Sequence, residues 1–557
     1  MNYDGLSREE LIGVLKRRDT LARYGLSWEQ KNIDPDRALN RDFVGLELVR
    51  EQCTGDGPWR NLIIEGDNYD ALRHLATTHA GQVKLAYLDP PYNTGRKDFV
   101  YNDTFFDATN RYRHSTWLEF MYQRLTLAKA LLAEDGAIFV SIDDNELFNL
   151  GLLMNQVFGE QNFVANVIWQ KVFSPKNTAV HFSDDHEYVL VYAANKDKWR
   201  PNPVPRSDAL DKAYKNPDKD PRGDWTSGDM AARNFYGEGR YPITCPSGRL
   251  IDGPPAGSFW RVSKARFDEM DADNRIWWGK TGSNTPRIKR FLTEVKQGVV
   301  PQTLWTYQEV GHTQDAKKQL NEILPKNRND DVFSTPKPLQ LLDRILRLAT
   351  NPDDLVLDFF AGSGTLAQAL LGLNKADGGN RRFVLVSNTE ATTAEPDKNL
   401  CRDVCAERVR NAITGYENQK GEKIEGLGGD FAYLKTQTVP MHRLEEGLTD
   451  SMVWSFALQA CGHPMSEVGK GLTTSLTGSH LVCYCSNVKT PTLERLAQAV
   501  EQHQGVVVVL TWAPLVVSDL LSAQLGRIRI VAVPQDLRQA FKQGNARPKQ
   551  ELQEEPA

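Results

Sequence analysis

The chain has 557 residues, of which 40% are apolar and 25% charged, and its net charge is -5. That length is too great for one ordinary core, so two to four domains are expected. The mildly negative balance excludes a uniformly basic binder of polyanions and confines any such surface to one part of the chain.

The opening MNYDGLSREELIGVLKRRD is charged, unlike the basic-then-apolar form of an export signal. Leu11, Ile12 and Leu15 stand at helical spacing, and an irregular polar stretch follows to Trp59, so residues 1–60 are expected to be an N-terminal helical segment. From there α/β alternation begins. NLIIEGD reads as a buried strand, NYDALRHLA as a helix and VKLAYL as a second strand, with a helix from Trp117 to Leu132 leading into the strand AIFVSID. After a helix at Glu146 to Phe158, VANVIWQKV and HEYVLVYAAN suit the paired last strands of the same sheet, giving an α/β segment over 61–195.

The texture then changes. Residues 196–329 are rich in Gly, Pro, Asp and aromatics with little period, which predicts a separate irregular domain. Alternation returns over 330–435 with a helix at Pro338 to Ala349, the strand DLVLDFFAGSGT, the strand RFVLVSN and a long helix from Asp397 to Ile413. A small C-terminal α/β domain is expected over 440–543, and the tail 544–557 should be disordered. The longest apolar stretch, GVVVVLTWAPLVV, is broken by Pro514 short of a membrane span, and this with the charged start predicts a cytoplasmic protein. The seven cysteines, Cys53, Cys245, Cys401, Cys405, Cys461, Cys483 and Cys485, lack the spaced CxxC pairs of a zinc ribbon, so reduced thiols and no metal are expected.

Two stretches carry chemistry. LAYLDPPYNTG, from Leu85 to Gly95, sets Asp89, Pro90, Pro91 and Tyr92 directly after an apolar strand. LDFFAGSGT, from Leu357 to Thr365, ends a strand in Asp358 and turns through Phe360, Gly362 and Gly364 into a helix that starts near Thr365. Glycines there let backbone amides approach a ligand at a helix start, although such turns also serve packing or dinucleotides. The spacing is not that of a phosphate-binding GxxxxGK[ST] loop. Glu390, just past the next strand, stands where a ribose-binding acid would sit.

DPPY at one strand end and FxGxG at another together resemble the amino-methyltransferases that act on nucleic-acid bases. DPPY comes first, then the irregular domain, then TPKP (Thr335 to Pro338) and FxGxG, an order similar to the β class of DNA adenine N6-methyltransferases. DPPYNTGRKDFVYND, WLEFMYQRLTLAKALLAEDGAIFVSIDDNE and NFVANVIWQK resemble the Mod subunits of type III restriction-modification systems and their solitary relatives, over Asn61 to Leu434. The resemblance implies a class I S-adenosylmethionine-dependent methyltransferase fold, Rossmann-like and circularly permuted, with an inserted target-recognition domain. It also implies duplex DNA as substrate, a homodimer and a restriction or helicase partner subunit in phage defence.

The chemistry assigns roles. Adenine N6 is a poor nucleophile because its lone pair is delocalised, and acceptors for both its hydrogens would favour a tetrahedral nitrogen as it attacks the sulfonium methyl. Asp89 and the Pro90 carbonyl supply them, Pro91 helps fix the loop, and Tyr92 offers a stacking face for a flipped base. For the cofactor, Asp358 and the Gly362, Gly364, Thr365 turn should hold the methionine moiety, with Thr335 and Lys337 near its carboxylate. Glu390 should bind the ribose hydroxyls, Asp67 should reach the adenine ring and Phe360 should pack at the cofactor's edge.

Between Lys196 and Val300 the chain has 20 Lys plus Arg against 14 Asp plus Glu, a local positive patch. Trp260, Arg261, Trp277, Trp278, Lys280, Arg287, Lys289 and Arg290 are its candidates for DNA contact. Three rival readings remain: cytosine N4 methylation, from which an aspartate before PPY leans away, RNA-base methylation, and a catalytically silent recognition subunit that positions a partner nuclease or helicase.

Overall fold

Ten short segments become one sheet. In chain order they are β1 (Phe43–Leu48), β2 (Leu62–Glu65), β3 (Val83–Leu88), β4 (Leu132–Ile142), β5 (Phe163–Gln170), β6 (His186–Ala193), β7 (Leu304–Trp305), β8 (Leu355–Asp358), β9 (Arg382–Ser387) and β10 (Ala432–Val439). Their order across the sheet is β1-β10-β2-β9-β8-β3-β4-β6-β5-β7. This computed structural model describes residues 28, 40–101, 104–107, 113–205, 211–295, 298–324, 333, 335–393 and 395–546, with 96–101 and 104–107 as backbone only.

From β10 through β4 every neighbouring pair is parallel. These strands are near-continuous apolar runs, as burial on both faces requires. β6 then runs antiparallel to both β4 and β5. Helices α1 (Asn68–Thr78), α2 (Arg113–Leu131), α3 (Leu147–Phe158), α4 (Leu339–Ala349) and α5 (Thr365–Asp377) connect or cover the strands. In α4, Leu341, Leu342, Ile345, Leu346 and Ala349 recur at helical spacing and are buried. The sheet is assembled from both halves of the chain, and the Rossmann-like, circularly permuted class I architecture is the one adopted.

Strand order reverses between β8 and β3. β8 connects through α5 to β9 on one side, and β3 connects through α2 to β4 on the other. In open α/β sheets the crevice at the carboxyl ends of such a strand pair is where ligands bind. Asp358 ends one of these strands and Asp89 follows the other.

Three expectations are corrected. Helix and irregular chain were expected throughout 1–60, but FVGLEL forms β1, burying Phe43, Val44 and Leu46 as it pairs with β10; Leu11, Ile12 and Leu15 lie outside the described residues, as does the tail from 547. The C-terminal α/β segment does form a four-stranded sheet over Leu472–Thr477, His480–Cys485, Val506–Thr511 and Ile528–Ala532. It is not a separate unit, because Val482, Tyr484, Val508, Leu537 and Phe541 belong to the main core. The second compact unit covers 202–301 rather than 196–329, since β7 joins the large sheet beside β5.

That second unit has its own core of Met230, Tyr241, Ile243, Trp260, Phe267 and Trp278. Its three-stranded antiparallel sheet runs Ile276–Trp277, Arg287–Phe291, Trp225–Asp229. All seven cysteines are free thiols, and burial pushes Cys401 up to about 12. Among the described residues no helix is long and apolar enough to cross a membrane.

Candidate active site

The loop after β3 is pinned from three sides. Trp117, fully buried on α2, donates its indole N–H to the Pro91 carbonyl at 2.7 Å. Asn93 takes a left-handed φ of +56° and donates to Glu146, a fully buried carboxylate that also accepts from Asn149 at 2.7 Å. Lys337, just before α4, donates to Asp89 Oδ1 at 2.6 Å, and the Tyr92 hydroxyl reaches the same oxygen at 3.0 Å.

This arrangement leaves two acceptors open. Among the described residues, neither Asp89 Oδ2 nor the Pro90 carbonyl receives a hydrogen bond. The carboxylate is oriented through one oxygen and free at the other, and the adjacent carbonyl is spared because Trp117 engages its neighbour. An amino group with two hydrogens is the matching donor.

Burial pushes Asp89 above the usual carboxylate range, against the pull of Lys337. Burial alone would lower Lys337, but Asp89, Glu187 and Asp143 outweigh it and raise the ammonium, so the cation is held charged. Burial, with Asp89 and Glu187 adding to it, keeps the Tyr92 phenol protonated. Lys337 therefore sits on the DPPY carboxylate, whereas sequence reasoning put it beside the cofactor's carboxylate. Thr335 is exposed.

Sequence reasoning missed Glu187. It lies on β6, where its Oε2 accepts from Tyr92 at 3.0 Å and its Oε1 accepts from Lys171 at 3.0 Å. The available signal was an acid inside the buried strand HEYVLVYA with a lysine just past the end of the preceding strand.

The second half of the site is the turn after β8. Asp358 is 3% exposed and accepts from the Phe360 amide at 3.0 Å; burial pushes its carboxyl well above the usual range. Gly362 and Gly364 have φ of +50° and +74°, and a Cβ on Gly364 would stand 3.1 Å from the Cys405 carbonyl. Both positions require glycine. Asn68 donates to the Phe359 carbonyl at 2.8 Å, which fixes the start of α1 against this turn. The Phe360 ring is half-buried, 6.0 Å from that of Phe120.

Three expected cofactor residues have other engagements. Asp67 caps α1, accepting from the Tyr69 amide at 2.7 Å, and pairs with Arg124 at 3.2 Å. Thr365 is buried, its hydroxyl meeting Ser363 at 3.2 Å and the guanidinium of Arg408, so it braces the turn from behind. Fully buried Arg408 was not anticipated. Glu390 is exposed, has φ of +51° and pairs with Lys398 at 3.1 Å.

In the 202–301 unit, several expected DNA contacts turn out to be internal. Trp260 is fully buried and donates to the Tyr241 carbonyl at 2.9 Å, while Trp278 is buried and bonds Asp271 at 2.7 Å. Trp277 is half-buried against Trp225, with ring centroids 5.1 Å apart. Lys289 is 2% exposed and paired with Asp218 and Asp220, so the basic cluster is not a uniform surface. Arg261, Lys280, Arg287 and Arg290 are exposed, with Arg287 paired to Asp229 at 2.7 Å. A cavity of about 610 Å³ in this unit is lined by Arg233, Arg249, Arg287, Asn284 and Ser258 among others.

Residues 83–387 match the model of the N6/N4 methyltransferase family, described as DNA methylase. The chain is 34% identical over 414 residues to the Mod subunit of the type III restriction-modification enzyme StyLTI of Salmonella typhimurium, covering 67% of this chain and 62% of that one. To the EcoPI Mod subunit of Escherichia phage P1 it is 33% identical, covering 69% and 67%, and to the EcoP15I Mod subunit of Escherichia coli 30%, covering 76% and 74%. The solved PvuII cytosine-N4-specific DNA methyltransferase matches at 12% identity over 63% of this chain and 94% of that one, with a TM-score of 0.30, too slight a likeness to bear on the base modified. The matched region spans both strand-end motifs and exceeds half of the sequence, so the chain belongs to the N6/N4 methyltransferase family of DNA methylases.

Proposed function

We propose that the chain transfers a methyl group from S-adenosylmethionine to N6 of adenine in duplex DNA, as the modification subunit of a restriction-modification system. The observation that carries this reading is the pair of open acceptors on consecutive residues, Asp89 Oδ2 and the Pro90 carbonyl, backed by the clamp of Lys337 and Tyr92 on Asp89 Oδ1. The two acceptors take the hydrogens of the target amine and stabilise the positive charge that develops on nitrogen. An aspartate before PPY supports adenine over cytosine. A base inside a duplex cannot reach this loop, so the reading includes flipping, with Tyr92 offering a face to the extruded ring.

The turn after β8 fits S-adenosylmethionine. Among the described residues the amides of Gly362 and Ser363 donate to no protein acceptor, and buried Asp358 has no cationic partner, which suits a ligand carrying both a carboxylate and an ammonium. When bound, the cofactor supplies an electrophilic methyl on sulfonium sulfur. Glu390 is exposed and available to ribose hydroxyls once it leaves Lys398. The exposed arginines of the 202–301 unit supply phosphate and base contacts.

The relatives named as Mod subunits of restriction-modification enzymes support a place beside a restriction subunit, and the reading includes a homodimer in the cytoplasm. Expression in a methylation-free host followed by modified-base sequencing tests the reading. N6-methyladenine confined to one short motif is expected. N4-methylcytosine would move the assignment to the other amino base, and unmodified DNA would favour the silent recognition subunit.

A further inference from the structure

Glu187 is 9% exposed on β6 and reaches the catalytic loop through Tyr92. Around it stand Tyr92 at 3.0 Å, Lys171 at 3.0 Å and Lys337 at 3.7 Å, with the charges of Asp89 and Asp143 felt in the same cluster. The Tyr92 hydroxyl has one hydrogen and two carboxylate neighbours, Asp89 Oδ1 and Glu187 Oε2, at equal distances. Lys337 is likewise shared, at 2.6 Å from Asp89 and 3.7 Å from Glu187. Glu187 thus draws on both groups that hold Asp89.

We propose that Glu187 is a positioning residue for methyl transfer, holding Tyr92 and Lys337 between two carboxylates so that Asp89 keeps its strength as an acceptor. This rests on the adenine-N6 reading only in needing an amino group as target. Without Glu187 the whole charge of Lys337 and the whole hydrogen of Tyr92 fall on Asp89 Oδ1, and the carboxylate becomes a weaker acceptor for the developing ammonium. The second carboxylate makes Asp89 a better acceptor by sharing its donors and by repelling its charge.

The sign of the pH effect follows. Asp89 accepts an amine hydrogen only when ionised, so activity falls as pH drops through its pKa, which burial already holds above the usual range. Glu187→Gln removes a neighbouring negative charge, so the acid limb of the kcat profile must move to lower pH even as the plateau falls. A defect of folding alone would reduce the active fraction without moving that limb.

The test uses full-length Glu187→Gln, Tyr92→Phe and the double variant, with single-turnover methyl transfer to DNA across pH and calorimetry for S-adenosylmethionine. We expect a plateau loss of about 10-fold or more in Glu187→Gln with cofactor affinity unchanged, an acid limb displaced downward, and losses in the double variant smaller than the product of the two singles. Glu187→Asp keeps the charge and should retain the wild-type acid limb. An unmoved limb in Glu187→Gln, or losses that multiply in the double variant, would overturn the proposal. A protein that binds cofactor and DNA but modifies no base even as wild type would instead reject the underlying methyltransferase reading.

Discussion

Replacing Asp89 with alanine separates chemistry from cofactor binding. The carboxylate is the charged one of the two acceptors, and it acts mainly as positive charge grows on the amine. By analogy with deleting one oxyanion-hole donor, its loss should cost about 10²- to 10³-fold in rate, or about 2.7–4 kcal/mol. Folding should survive. Orphaning a buried charge costs about 3–5 kcal/mol, but Lys337 keeps Glu187 at 3.7 Å and its own side chain is 9% exposed, so the loss should fall below that range. The glycine turn and Asp358 are untouched, so S-adenosylmethionine should bind with near-normal affinity. Thermal melting, calorimetry for the cofactor and tritiated-methyl transfer to DNA would be run on one preparation. Near-normal transfer would refute the role given to Asp89, and loss of cofactor affinity alone would move it to the cofactor pocket.

Cofactor affinity should fall as pH is lowered, because burial holds Asp358 well above the usual carboxylate range and only its ionised form pairs with an ammonium; flat calorimetric titrations across pH would contradict this. Arg233, Arg249 and Arg287 changed together to alanine should weaken DNA binding and flatten the slope of log affinity against log salt by about 0.9 for each phosphate no longer neutralised, leaving cofactor affinity intact. Lys289→Ala should behave differently, lowering the melting temperature because it leaves Asp218 and Asp220 without their shared cation, and a stable Lys289→Ala with weakened DNA binding would restore it to the surface. Sedimentation should give twice the 62.8 kDa chain mass at micromolar concentration, and a fully active monomer would rule out the dimer.

The central sheet was legible because its strands are buried on both faces, so VKLAYL, LVLD and RFVLVS stand out as apolar runs between helical periods. The two strand-end motifs were legible for a different reason: each sets its acid and its prolines or glycines side by side directly after an apolar run, so the residues of each half of the site are neighbours in sequence. The partnership of Lys337 with Asp89 and Glu187 was not legible. It joins three segments brought together only by sheet order, and no local period records which lysine faces which carboxylate. The aromatic and basic residues of the 202–301 unit misled for a related reason. Trp260 and Lys289 look like DNA contacts in sequence, but a small unit with short strands uses large side chains and an internal ion network to fill its core.

The pairing of β8 with β3 has a consequence for how the protein is made. Leu85 lies beside Val356, about half the chain away, while the 202–301 unit lies between them in sequence with a core of its own. During synthesis from the amino end, β3 waits with an unsatisfied edge until β8 emerges, and closing so long a loop carries an entropic penalty that slows the pairing. Asp89 meets Lys337 only after the second half has arrived. The inserted unit can fold during that interval, so it is complete before the crevice that brings Asp89, Lys337 and the glycine turn together.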